Sequence, residues 1–182
     1  MAFGLTVATE LRFTVTDYIG SAPALGFGDL AVGVKQQAGH TASGFDVSVI
    51  LLLSFPSGAS AVTNHGYDPG LQAPWSQKLS QNWTAAGMLS VYWLTQPGAR
   101  NVTGESTFLF DRQLTGPWDA FVEYAGDFPE RGGPSHLLHF GTAYKLGPLQ
   151  QLDLHVGAGL CRAAVEHFIG VGYSFRFQAR RK

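Results

Sequence analysis

The sequence predicts an all-β chain folded as one antiparallel up-and-down β-barrel of about ten strands. Three observations carry this. Apolar and polar residues alternate with period two from end to end, and no long segment repeats with the 3.6-residue period of a helix. Tight turns also alternate with longer connections along the chain, as hairpins closing at two ends of a barrel would require.

The first strand is read over residues 5–15, where Leu5, Val7, Leu11, Phe13 and Val15 oppose Thr6, Ala8, Glu10, Arg12 and Thr14. In the second, Leu30, Val32 and Val34 oppose Asp29, Ala31, Gly33 and Lys35. The third, 45–55, is apolar on both faces near its middle, with Ile50 and Leu52 on the side that also carries Asp46, Ser48 and Ser54. Weaker alternation marks strands at 71–79, 83–93, 103–112 and 118–127. Leu138, Phe140, Thr142 and Tyr144 then oppose His139, Gly141, Ala143 and Lys145. Leu152, Leu154, Val156, Ala158 and Leu160 oppose Asp153, His155, Gly157 and Gly159. In the last strand His167, Ile169, Val171, Tyr173, Phe175 and Phe177 oppose Glu166, Phe168, Gly170, Gly172, Ser174 and Arg176. Turn-forming residues make 80–82, 115–117 and 146–148 tight turns, whereas 18–27, 56–68, 95–102 and 128–134 read as longer links.

The 182 residues form a single domain, 1–182, ending in a basic tail at 178–182. A net charge of −1 offers no basic surface for a phosphate backbone, so no nucleic-acid partner is expected. Cys161 is the single cysteine, which excludes an intrachain disulfide and cysteine-based metal clusters. The longest apolar run, 47–55, is too short for a helical membrane span, and the first residues lack the basic-then-apolar order of a signal peptide.

Period alone leaves the two faces ambiguous. In a soluble lipocalin-like cup the apolar face points inward around an apolar ligand; in a membrane barrel it meets lipid and the polar face lines the lumen. Three features favour the membrane. Charged residues are 14% of the chain, low for a protein that must wet one whole face of its sheet. The apolar faces are almost free of Lys and Arg. Aromatic rings also gather near strand ends: Phe45 and Phe55, Trp83 and Trp93, Trp118 and Phe128, Phe140 and Tyr144, Tyr173 and Phe177.

The runs GFGDLAVGVKQQ (26–37), DVSVILLLSFPSG (46–58), DPGLQAPWSQKLSQNW (68–83), FDRQLTGPWDAFVEYAGDFP (110–129), GGPSHLLHFGTAYKLGPLQQLDLHVGAGL (132–160) and FIGVGYSFRF (168–177) resemble, in order, a bacterial outer-membrane β-barrel family. That family carries the label MetA-pathway of phenol degradation. The resemblance implies a transmembrane barrel of the Gram-negative outer membrane, with twelve strands and an export signal in its complete form. The present chain is then expected to be shortened at its N-terminus. It further implies lipid and the barrel-assembly machinery as partners, no cofactor, and transport of a small solute, hydrophobic or aromatic.

On the membrane reading, Glu10, Arg12, Asp29, Lys35, Asp46, Asp153, His155 and Arg176 are expected to line the lumen. Leu51, Leu53, Leu154, Val156, Val171 and Phe175 are expected to face lipid. The charged set can either line an open path or plug the barrel, and its near balance of signs predicts weak ion selectivity. No catalytic or metal site is expected. His139 and His155 can approach across strands beside Asp153, but spacing fixes no third ligand. Asp119, Glu123 and Asp127 share one strand face with no cleft implied around them.

Overall fold

The computed structural model describes residues 1–15, 18–21 and 24–175. Its strands are β1 (Ala2–Gly4), β2 (Thr9–Val15), β3 (Tyr18–Ser21), β4 (Ala24–Phe27), β5 (Leu30–His40), β6 (Phe45–Phe55) and β7 (Asp68–Lys78). They continue as β8 (Trp83–Gln96), β9 (Ala99–Gln113), β10 (Trp118–Pro129), β11 (Ser135–Gly147), β12 (Gln150–Gly159) and β13 (His167–Phe175). Eleven of them form one sheet in chain order, every neighbour antiparallel, and β3–β4 make a separate hairpin. The expected all-β, up-and-down architecture is therefore what the chain adopts. Among the described residues β1 and β13 each pair on one side only, so the barrel-like sheet has no hydrogen-bonded seam.

Three boundaries differ from the sequence reading. Residues 5–15 are not one strand: the Leu5 and Thr6 N–H groups both donate to the Thr9 carbonyl, turning the chain between β1 and β2. The long link 18–27 contains the β3–β4 hairpin. The link 95–102 does not exist, because β8 runs on to Gln96 and β9 starts at Ala99. Pro97 and Gly98 alone make that turn; Gly98 has φ 77°, the left-handed value a type II turn requires after proline.

Proline shapes the sheet once more. The β6–β7 ladder pairs Val47 with Trp75 and resumes only at Ile50 with Gln72. Pro74, which has no N–H to donate, lies in the skipped segment.

The connections segregate. One end of the sheet carries only the short turns 5–8, 41–44, 79–82, 114–117 and 148–149. The other carries the β3–β4 hairpin, the long loop 56–67 and the links 130–134 and 160–166, together with the turn 97–98.

Packing is inverted relative to a water-soluble barrel. Among the described residues, Ile50, Ala85 and Ala143 are the whole of the buried apolar set, whereas Leu51, Leu89, Ile169 and Val171 are 64%, 61%, 71% and 76% exposed. Hydrophobic stabilisation scales with apolar area removed from water, and so small a core removes little. Aromatic contacts ring the exposed face. At the tight-turn end Trp118 meets Tyr144 with ring centroids 4.7 Å apart, and the Arg112 guanidinium sits 5.1 Å over Trp83. At the looped end Phe55 meets Tyr67 at 5.8 Å and Phe128 meets His136 at 5.6 Å.

Candidate functional site

The face opposite the apolar one is the candidate site, and the register decides which residues share it. Glu10 lies opposite Lys35, Asp46 opposite Ser76, Gln72 opposite Ser90, Ser90 opposite Glu105, and Glu105 opposite Asp127. Because alternate residues of a strand point to opposite faces, this one chain of pairs assigns the inner face of the sheet.

Three of the expected lumen residues meet at the tight-turn end. Glu10, Lys35 and Asp46, with Gln37, Ser48 and Ser76, line a cavity of about 290 Å³ whose remaining wall is the turn after β1. Arg12 Nε lies 3.4 Å from Glu10 Oε2 on the same strand. Asp46 is held at the mouth by His40 Nδ1 at 2.6 Å and by the Gln37 amide, which donates at 3.2 Å.

Asp153 and His155 belong to a second polar region, on β10 to β13. His155 Nδ1 is 3.7 Å from Asp153, and on the neighbouring strand His139 Nδ1 is 3.5 Å from Glu123. The two imidazoles lie nearly parallel, centroids 6.5 Å apart, and Phe168 sets its ring edge-on against both. Gly170 and Gly172 make this possible: a Cβ at either would collide with the His155 ring or the Asp153 carboxylate. Further along β10, Lys145 Nζ reaches Asp119 Oδ2 at 2.5 Å. Among the described residues no group of three or more His, Cys, Asp or Glu is arranged to hold a metal ion.

Asp29 stands at the looped end of the sheet, in contact with loop 56–67. It precedes β5 and is 8% exposed, and its oxygens accept the N–H groups of Gly58 at 2.9 Å and Asn64 at 3.1 Å. Burial pushes its pKa up, but hydrogen bonds from the Thr63 side chain and from the Gly58, Asn64 and Ser57 backbone outweigh this and hold it below the ordinary 3.8. The carboxylate thus organises loop 56–67. Asn64 extends the anchor, its side-chain amide donating at 2.8 Å to Asp68. Asp68, 3% exposed, also accepts Thr95 N–H at 2.7 Å and Thr95 O–H at 2.6 Å, with Arg100 3.8 Å away. The Arg100 guanidinium donates to the Trp93 and Tyr67 carbonyls, each at 3.0 Å. Arg176 lies outside the described residues.

Of the residues expected on the opposite face, Leu51, Leu154, Val156, Val171 and Phe175 are exposed and Leu53 is half-buried. Sequence reasoning missed Asp68, Tyr92, Glu105 and Asp111 as inner-face groups, and it set aside Asp119, Glu123 and Asp127. The signal was available. Once Pro97–Gly98 is read as a hairpin turn, β9 pairs with β8 through its full length and Glu105 falls on the polar side.

An antiparallel up-and-down sheet with a polar inner face, an exposed apolar outer face and aromatic rims is the fold of an outer-membrane β-barrel. The sequence matches, over residues 3–177, the family described as "Putative MetA-pathway of phenol degradation", and the chain belongs to that family. Its fold is similar to the crystal structure of an outer membrane channel from Pseudomonas putida F1. The TM-score is 0.63 at 15% identity, covering 94% of this chain and 76% of that one. No curated protein matches the sequence.

Proposed function

We propose that the protein is an outer-membrane channel that passes small solutes along the inner face of its sheet. The observation that carries this reading is the inverted packing: the large apolar side chains lie on the outside of the sheet, where only lipid can remove them from water, and the charges lie within. Leu51, Leu53, Leu154, Val156, Val171 and Phe175 face lipid. Glu10, Arg12, Lys35, Asp46, Asp153 and His155 line the path. The short connections mark the periplasmic end and loop 56–67 the outer end, as in barrels with short periplasmic turns and longer external loops. Family membership supports small hydrophobic or aromatic solutes as cargo, and transport rather than catalysis. Lipid and the barrel-assembly machinery are the partners this location requires.

Liposome swelling with the refolded chain tests the reading. Small neutral solutes should enter, aromatic ones included, at rates above those of protein-free vesicles. Impermeability of vesicles in which circular dichroism and heat-modifiable gel mobility show an inserted β-structure would refute it, and would leave the charged lining as a plug.

A further inference from the structure

We infer that the wall formed by β8, β9 and β10 makes the path prefer cations, with Glu105 and Asp127 setting the preference; this rests on the channel reading above. Glu105 and Asp127 are direct cross-strand partners on the inner face. Like charges placed opposite one another on adjacent strands repel, so the pair costs the sheet stability unless positive charge comes between them. Among the described residues neither carboxylate is in an ion pair. Lys145, which pairs with Asp119, stands at the far, tight-turn end of this wall. Asp111, Asp119 and Glu123 share the same face of β9 and β10, so this wall is acidic along its length.

A second, independent observation points to a ligand. Ser90, opposite Glu105 in the register and 4% exposed, has a hydroxyl with no hydrogen-bond partner. Asn101, on the inner face of β9 and 3% exposed, has an amide oxygen that is likewise unpartnered. Buried polar atoms are almost always satisfied, because an unmet one loses its hydration without compensation. Here the unmet Ser90 oxygen lies directly across the register from the Glu105 carboxylate, and oxygens are the donors that hard cations take in exchange for their water. On the opposite wall Glu10 and Asp46 share their cavity with Lys35, so the two signs offset each other there. The preference is therefore a property of one wall and not of the lining as a whole.

Reversal potentials under a potassium chloride gradient, with the refolded full chain in a planar bilayer, decide the matter. Wild-type protein should pass potassium several-fold better than chloride. The double variant Glu105→Gln/Asp127→Asn should bring that ratio close to unity at similar conductance, and each single variant should fall between, so either single suffices if the double does not refold. A conducting wild type with no cation preference, or a preference unchanged in the variants, would overturn the inference while leaving the channel reading intact. No conductance from a barrel verified as inserted would overturn both.

Discussion

The walls formed by β5–β7 and by β9–β12 follow the same alternating pattern and enclose different interiors. On the first, Leu52 sits between Gly33 and Gly70 on the two neighbouring strands, and Ile50 beside it is 3% exposed. Bulky and missing side chains interdigitate there, so the inner face is filled around Ile50 and Leu52, beyond the cavity that Lys35 and Asp46 line at the tight-turn end. On the second, Glu105, Asp111, Asp119, Glu123, Asp127 and Asp153 occupy equivalent positions, offset by Lys145 and the two histidines. Alternation therefore states which residues share a face, while the neighbours across the register decide whether that face is filled or lined.

The contrast can be broken most directly by exchanging the two characters. Leu52→Asp, between Gly33 and Gly70, places a carboxylate with no base across from it in the packed wall and should cost several kcal/mol, enough to prevent refolding. Asp127→Asn in the charged wall should leave stability unchanged or slightly raised, because it removes a like charge from opposite Glu105. Urea titration in detergent or lipid measures both. Equal losses would show that the two walls are packed alike.

Next in size is the test of the faces themselves. Leu51→Arg, beside Ile50 but on the outer face, should cost about 2–4 kcal/mol if that position lies near the bilayer midplane. The loss should appear in lipid vesicles. An arginine tolerated there at no cost would place Leu51 away from lipid.

A smaller effect is expected where the packed wall meets the looped rim. Asn64→Ala removes the amide that links loop 56–67 to Asp68, and should cost about 1 kcal/mol of local stability. Hydrogen exchange should speed up at Gly58 and Asn64, while β9–β12 stay protected. Protection unchanged at both amides would mean that Asp29 holds the loop unaided.

The smallest effect concerns acid. The Asp29 carboxyl is held below 3.8 in the folded chain. Its contribution is therefore fully present above the ordinary carboxylate range and is lost as pH falls through the lowered folded-state value. Relative to the intrinsic rate at each pH, protection in loop 56–67 should stay high at neutral pH and fall only on acidification beneath that range. In Asp29→Asn that protection should be low at every pH. Protection that is unchanged in Asp29→Asn would show that other contacts hold the loop.

Much of this architecture was legible in the chain. Period two placed the late strands almost residue for residue, and it put Asp153 and His155 on the face opposite Leu154 and Val156. Low charge and rim aromatics pointed to an apolar face turned outward, and Leu51, Ile169 and Val171 are exposed there. Pro97–Gly98 was legible too, but only as turn chemistry outranking a weak alternation on either side.

What remained for the tertiary structure depended on register and on distance through space. That Glu105 faces Asp127, that Ser90 lies buried opposite Glu105, and that Asp29 ties down the loop through Gly58 and Asn64 are facts about residues far apart in sequence. A strand's own pattern determines the face each side chain takes, since that follows from the pleat of a single segment. Which partner it meets there is set by how neighbouring strands slide and how loops fold back, and no single segment contains that information.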